Sequence, residues 1–566
     1  MYANKRNNLQ LAALLLKHEI REVVTCPGSR NAPLVHTFAA HPDFHCYKVT
    51  DERSAGFFAI GRIMQTHRPV AVCCTSGSAL LNIIPAVAEA FYQQLPLVVI
   101  SADRPPQWIG QMDGQTLMQP DALASLVKKT VQLPEPTTQE EEWYCNRLIN
   151  EALLALHLSG EGPVHINVPI SEPLFDFSAT ALPDERVISH LQLTNRITAT
   201  NQVERLLCEH KEKFFSAMLI VGQEAFQCLS ARDLNALRAK NIVVLTEHLS
   251  NITTLDTHCI TCFDAIIYAA SEEEQQALVP DLLFTVGGHI VSKRLKRLLR
   301  KIQPKVHLHF SLTDQTPDLY QCLTAVVTAT TQQAIDFMAS SMKCFMEDVS
   351  YLRLWEGWQE QIMKSHDSFT PQVWSDWLVF RQFFAGMPQH SALHLANSSA
   401  VRLAQFFSLP SATKVYVNRG VNGIEGSLST AVGYAAAAQQ LTFMVIGDLS
   451  FFYDQNALWN AHVNKGLRVL LVNNGGGQIF TTLPHATNSP YLHEYIAGEH
   501  STTAQGIVEA YHCSYLLATT EEELNAALPT FFSDASERAI VLEVHTDKIN
   551  NEATLQTYYK WLKTKK

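Results

Sequence analysis

The stretch Thr442-Phe-Met-Val-Ile-Gly447-Asp448-Leu449-Ser450, followed by Val472-Asn473-Asn474-Gly475-Gly476-Gly477, decides the fold. Thr442–Ile446 and Arg468–Asn473 are short apolar runs with the length and composition of buried strands. A helix is expected between them, over Asp454–Asn464. Asn474 lies 26 residues after Asp448, the length of one β-α-β crossover. Both polar residues then fall at the carboxyl ends of parallel strands, where open α/β sheets bind ligands. A carboxylate, an amide oxygen and a glycine carbonyl are hard oxygen donors, suited to Mg²⁺ that also holds phosphates. Either element alone is equally a helix cap or a turn. Their order and spacing favour the metal–phosphate reading.

Working outward, Lys414–Val417 and Ala539–His545 add strands to the same unit, which starts near Ser391. The amino-terminal stretch repeats the pattern, with strands at Glu22–Cys26, Val70–Cys74, Leu97–Ser101 and Val164–Val168. Helical spacing lies between them at Asn31–Ala40, Ser54–Thr66 and Ser78–Gln93. A polar linker around Phe177–Gln192 leads to a middle unit with strands at Ala217–Val221, Ile242–Leu245, Leu282–Val286 and Val306–Phe310. The connection Thr331–Phe384 reads as helical, with Trp355, Trp358, Trp374 and Trp377 as packing residues. The expected fold class is therefore α/β: three doubly wound parallel-sheet domains, over 1–180, 190–350 and 370–566. The 566-residue length agrees, at about 150 residues per domain.

The composition is globular, with 47% hydrophobic and 17% charged residues. A net charge of −11 argues against a nucleic-acid partner. No apolar run is long enough to span a membrane. The run Leu11–Leu16 is too short for a signal peptide and reads as part of an amphipathic helix. The 12 cysteines are scattered, which fits a reducing, cytoplasmic compartment. Cys259-Ile-Thr-Cys262 lacks the second pair a zinc site wants. Gly287-Gly288 ends a strand without a G-x-G-x-x-G pattern. There is no P-loop, no G-x-S-x-G elbow and no H-E-x-x-H.

Two further signals remain. Asp51-Glu52-Arg53 follows the strand-like run Cys46–Val49 and precedes Thr75-Ser76-Gly77 by one strand–helix unit. Glu52 is either a helix-start carboxylate or a functional acid. Five loops carry basic residues beside turns: Ser29-Arg30, Arg104, Lys293-Arg294, Arg402 and Arg419. Converging, they would suit acidic substrates, because the planar guanidinium binds carboxylates bidentately.

With PGSRNAPL, TDERSAGFFAIG, TSGSAL, ADRPP, NRGVNGIEGSLSTAVG, GDLSFFYDQNAL and VNNGGGQIF in chain order, the sequence resembles a family. It is that of the thiamine-diphosphate-dependent 2-succinyl-5-enolpyruvyl-6-hydroxy-3-cyclohexene-1-carboxylate synthases of menaquinone biosynthesis. The motifs cover both outer units; the middle one carries little beyond Ser292-Lys-Arg294. The resemblance implies pyrimidine-binding, central and diphosphate-binding domains of the thiamine-diphosphate-binding fold. It implies a homodimer or homotetramer with the site at the chain interface. It implies that 2-oxoglutarate adds to the cofactor, loses CO₂, and that the resulting carbanion–enamine adds 1,4 to isochorismate.

The same resemblance implies roles for residues. Glu52 would be the catalytic, cofactor-activating acid. Ser76, Gly77, Ile424, Gly447, Asp448, Leu449, Ser450, Asn474, Gly476, Gln478 and Ile479 would contact thiamine diphosphate. Ile424 would wedge the cofactor into its bent form. Asp448, Asn474 and the Gly476 carbonyl would hold Mg²⁺ or Mn²⁺. Ser398, Arg402 and Arg419 would anchor the distal carboxylate of 2-oxoglutarate. Ser29, Arg30, Arg104, Gln115, Lys293 and Arg294 would receive isochorismate, with Ile479 and Phe480 as an apolar wall. Gly475 stands where the family often has a third asparagine, which leaves Asn473 as an alternative to Asn474 at the metal. The rival expectations are another thiamine-diphosphate 2-oxo acid decarboxylase, an acetolactate-synthase-like carboligase, or a non-catalytic binder of a nucleotide or quinone product.

Overall fold

The computed structural model describes residues 1–190, 202–207, 214–224, 229–252, 259–341, 349–410, 412–480 and 485–564. Three six-stranded, all-parallel sheets run along the chain, each flanked by helices. The first has the spatial order His45–Lys48, Glu22–Thr25, Val70–Cys74, Leu97–Asp103, Val164–Pro169, Lys129–Gln132. The third has the order Lys414–Tyr416, Ala392–Leu395, Thr442–Gly447, Leu467–Asn473, Ile540–His545, Ser514–Ala518. Numbered within each unit, both follow 2-1-3-4-6-5. The middle sheet runs Ala325–Thr328, Val306–Ser311, Leu282–Val286, Ala217–Val221, Ile242–Thr246, Cys259–Ile260, which is 6-5-4-1-2-3. The central strands are buried on both faces, as β-α-β connections require.

Strand order reverses in the outer units between strands 1 and 3, so each has a ligand-binding crevice there. In the third unit that crevice lies between the Asn397-Ser398 loop and Gly447-Asp448. The middle sheet has its crevice at Gly222 and Gly287-Gly288, and the chain closes it. The Gly288 N–H donates to the Gln223 carbonyl at 2.9 Å. A Cβ on Gly222 would sit 2.2 Å from the Gly288 oxygen. Those glycines thus serve close backbone packing.

One expectation is corrected in detail. The helix expected over Asp454–Asn464 instead begins at once after its strand, over Asp448–Tyr453, with a short 3₁₀ turn at Gln455–Leu458. Asp454 is buried and accepts from the Ser429 N–H and hydroxyl, which pins the chain before a longer helix can form. The edge strands Lys129–Gln132 and Ser514–Ala518 carry half-buried, mixed sequences and have no apolar run to mark them. Trp355, Trp358 and Trp377 are buried, and the Trp374 Nε1–H donates to the His545 carbonyl, so the tryptophans pack the helical connection.

The units are joined by specific contacts. Helices Glu52–Thr66 and Ser427–Ala435 touch backbone to backbone: a Cβ on Gly61 would lie 2.0 Å from the Thr430 oxygen. A Cβ on Gly433 would lie 2.2 Å from the Phe58 oxygen. The buried Arg62 grips Glu22 and reaches the Gly433 carbonyl. On the other side, the Asn251 amide donates to the Val415 carbonyl and accepts from the Val415 N–H.

Candidate active site

Gly447 ends its strand in extended conformation, and a Cβ there would meet nothing within 4 Å. Asp448 follows and is 3% exposed. Its Oδ1 accepts from the Leu449 N–H at 2.6 Å. Its Oδ2 accepts from the N–H groups of Asn474, Gly475 and Gly476 at 3.2, 2.8 and 2.9 Å. Burial pushes the carboxyl above its usual range, opposed by these donors and by His500, whose Nε2 is 3.5 Å away. One buried carboxylate therefore organises the whole Asn474–Gly476 turn.

The two asparagines face different tasks. Asn473 is buried, and its amide donates to the Thr502 carbonyl and Glu543 at 2.9 and 2.7 Å. Asn474 donates to Asp376 and Gln478 at 3.3 and 3.0 Å. Its Oδ1 takes no hydrogen bond among the described residues. A cation placed against Asp448 thus finds an available amide oxygen on Asn474, whereas Asn473 is committed to the sheet. Asp376 is held by the Thr546 hydroxyl as well, and burial raises its carboxyl to about 6.

Glu52 is the first residue of its helix. Asp51 caps that helix through the Ser54 N–H and also accepts from Asn456 of the third unit at 2.8 Å. Glu52 accepts from Asn82 at 3.3 Å. Beside it, Thr75 and Ser76 are buried with hydroxyls that have no partner among the described residues. Such orphaned groups call for a ligand, since buried polar atoms are otherwise bonded. Gly77 donates its N–H to the buried Gln119 at 2.8 Å, and the Gln115 backbone lies 3.2 Å from its Cβ position. Ile424 is 40% exposed, and its carbonyl accepts from the Ser450 hydroxyl. The hard oxygen donors at Asp448–Gly476 and the unpartnered hydroxyls at Thr75-Ser76 fit the polar ends of a diphosphate–metal–pyrimidine cofactor.

The basic residues divide. Lys293, Arg402 and Arg419 share one electropositive region: Arg402 foremost, then burial, Arg297 and Arg419, lower the Lys293 ammonium. Arg419 is buried, bonded to Asn397 at 3.1 Å, and its Nε has no partner among the described residues. Lys293, Arg402, Gln478 and Ile479 line a cavity of about 1430 Å³ between the middle and third units. Ser398 adopts a positive φ of 75° at the turn before the Arg402 helix, and Phe480 is 39% exposed beside Ile479. Arg30, in contrast, is buried and spent on the Ile170 carbonyl and Glu172. Arg294 is spent on Asp264 and Tyr559 and lies over the Tyr268 and Tyr559 rings. Arg104 bonds the Gly114 carbonyl, while Ser29 and Gln115 are exposed. Sequence reasoning missed Asp376 and Gln119, which lie in no recognisable motif. It also missed Glu247, whose buried carboxyl accepts from the Val291 and Ser292 N–H groups and is raised by burial to about 7.

Two outer crevices of one topology, one edged by the Asp448–Gly476 turn and one by the helix-start Glu52, define a thiamine-diphosphate enzyme. Family models agree: "Thiamine pyrophosphate enzyme, N-terminal TPP binding domain" matches residues 8–125, and the C-terminal TPP binding domain matches 397–544. A crystal structure of benzoylformate decarboxylase from Polynucleobacter necessarius shares the fold, with a TM-score of 0.68 at 16% identity, covering 97% of this chain and 99% of that one. The 2-succinyl-5-enolpyruvyl-6-hydroxy-3-cyclohexene-1-carboxylate synthase of Bacteroides fragilis is 49% identical over the full length of both chains. Those of Bacteroides thetaiotaomicron and Flavobacterium johnsoniae are 48% and 36% identical, over 100% and 96% of each chain. The chain belongs to the family of 2-succinyl-5-enolpyruvyl-6-hydroxy-3-cyclohexene-1-carboxylate synthases.

Proposed function

We propose that this chain is a transferase that decarboxylates 2-oxoglutarate with thiamine diphosphate and adds the succinyl unit 1,4 to isochorismate. The product is 2-succinyl-5-enolpyruvyl-6-hydroxy-3-cyclohexene-1-carboxylate, a menaquinone precursor. The full-length identity of 49% with a synthase of that name carries this reading.

Thiamine diphosphate, when bound, supplies the electron sink that decarboxylation needs. This chain's residues do the rest. Asp448, the Asn474 amide oxygen and the Gly476 carbonyl would hold Mg²⁺ or Mn²⁺. Gly447, Leu449, Ser450, Gln478 and Ile479 would contact the diphosphate end, and Ser76 and Gly77 the pyrimidine end. Glu52 would hold or accept a proton at its carboxylate, and Ile424 would pack against the cofactor. Arg402, Arg419 and Ser398 take the distal carboxylate of 2-oxoglutarate. Lys293 approaches isochorismate from the cavity, and the exposed Ser29 and Gln115 with the half-buried Arg104 approach it from the amino-terminal unit. Arg30 and Arg294 support that side as structural cations, and Ile479 and Phe480 exclude water.

The pyrimidine, central and diphosphate domains are assigned to 1–180, 190–350 and 370–566. We assign a homodimer or homotetramer whose second copy covers the exposed Leu81 and Tyr92, on the helix that also carries Asn82. No helix among the described residues is long and apolar enough to cross a membrane, and we assign the chain to the cytoplasm. The test is a two-substrate assay of cofactor-loaded protein. CO₂ release and product are expected to require both 2-oxoglutarate and isochorismate. Turnover of 2-oxoglutarate without the acceptor product would point instead to a simple decarboxylase.

A further inference from the structure

The Asn418–Val421 loop carries Arg419 and leads on to Ile424, and side chains from both other units hold it. Glu89, in the Ser78–Gln93 helix of the first unit, is 1% exposed. Its Oε1 accepts from the Gly420 N–H at 2.7 Å, and its Oε2 from the Val421 N–H at 2.8 Å. Gln93, one helical turn on, donates to the same carboxylate. Its side-chain Oε1 accepts from the Gln223 amide of the middle unit at 3.0 Å, and Gln223 also donates to the Val417 carbonyl at 2.8 Å. Arg419 is therefore bracketed by fixed backbone two residues before it and one and two residues after it. The fit is close: a Cβ on Gly420 would lie 2.6 Å from the Glu89 carbonyl.

A buried carboxylate without an ion-pair partner among the described residues is a costly way to join two units. An apolar contact of the same volume would join them as well. What the carboxylate adds is geometry, because two oxygens accepting from consecutive N–H groups leave the loop one position. The residue that this position serves is Arg419, whose side chain hydrogen-bonds Asn397 alone among the described residues and retains an Nε unpartnered among them.

We propose that Glu89, with Gln93 and Gln223 behind it, is a positioning residue that sets the Arg419 guanidinium for the distal carboxylate of 2-oxoglutarate. This rests on the role given to Arg419 above. The test uses full-length, cofactor-loaded protein and separate KM values for the two substrates. Glu89→Gln sets an NH₂ against a backbone N–H and is expected to raise the KM for 2-oxoglutarate about tenfold. The milder Gln93→Met is expected to raise it about threefold. In both, the KM for isochorismate is expected to stay within about twofold. Arg419→Ala should raise the 2-oxoglutarate KM by itself. The double variant Glu89→Gln/Arg419→Ala should be no worse than Arg419→Ala, since the carboxylate then has nothing left to position. A merely structural Glu89 would give multiplicative effects, and that result overturns the proposal. So does an unchanged 2-oxoglutarate KM in both Glu89→Gln and Gln93→Met while Arg419→Ala raises it. An unchanged KM in Arg419→Ala overturns the role of Arg419 and this inference with it. If Glu89→Gln does not fold, Gln93→Met decides alone.

Discussion

Gly61→Ala is expected to pry apart the helix pair that locks the outer units. The new methyl would lie 2.0 Å from the Thr430 oxygen and 2.6 Å from the Tyr434 nitrogen. Both atoms are backbone, so no rotamer change relieves them. Ordinary contact begins near 3.4 Å, so the helices must separate locally by about 1.4 Å. A radial gap of even 0.5–1 Å forfeits roughly a quarter to a half of each dispersion contact. Added to an overpacking cost of about 1–3 kcal/mol, the loss comes to about 3–5 kcal/mol. For a cooperative unit of 566 residues, an unfolding entropy of about 2.1 cal/mol/K per residue turns that loss into a fall of about 3–4 °C in melting temperature. Glu52 and Ile424 sit at the amino-terminal ends of these helices, so the thiamine diphosphate concentration for half-saturation should rise as well. Melting by circular dichroism, with and without cofactor and Mg²⁺, reads both effects. Gly357→Ala is the control: Gly357 is exposed within the Ser350–Asp367 helix, with nothing within 4 Å of its Cβ position. It should gain about 0.5–1 kcal/mol from helix propensity. A Gly61→Ala protein that melts within about 1 °C of the parent, with unchanged cofactor affinity, would refute the packing argument.

Glu52→Gln is expected to keep cofactor binding, measured by fluorescence titration, and to lose at least about 10²-fold in kcat; near-normal turnover would remove Glu52 from catalysis. Asn474→Ala should raise the Mg²⁺ concentration for half-maximal activity with little change in melting. Asn473→Ala should do the reverse, because it strips a buried donor from Glu543. Stability should fall with rising pH through Glu247, whose carboxyl titrates near 4.5 when unfolded and near 7 in the fold. Between those values the unfolded chain holds fewer protons, so up to about 1.4 kcal/mol per pH unit is lost. Urea unfolding across pH 4.5–7 should show a flatter slope for Glu247→Gln than for the parent.

The turn held by Asp448 was legible because its pattern is local. A strand, a Gly-Asp turn, one crossover and an asparagine turn place all the donors within 30 residues of chain. The buried strands were legible for the same reason: Val70–Cys74 and Leu282–Val286 are apolar on both faces and leave no ambiguity of period. Edge strands such as Ser514–Ala518 were not, since partial exposure mixes their composition. Asn473 and Asn474 could not be told apart from the sequence. Their difference comes from Glu543 and Asp376, each at least 70 residues away. Arg30 and Arg294 look like Arg402 in the sequence. Only the fold shows that a carbonyl and acidic partners already occupy the first two.

The Asn251 amide does more than join two units. Lys414–Tyr416 is the outermost strand of the third sheet, and an open strand edge invites pairing with another chain. By meeting both backbone groups of Val415, Asn251 imitates one residue of a neighbouring strand and plugs that edge. Asn251 precedes Val415 in the chain, so the plug leaves the ribosome before the edge it covers. The vulnerable strand need never wait exposed while the rest of its sheet is made. A chimaera that exchanged the middle unit but lost this asparagine would carry an aggregation fault that its active site would not reveal.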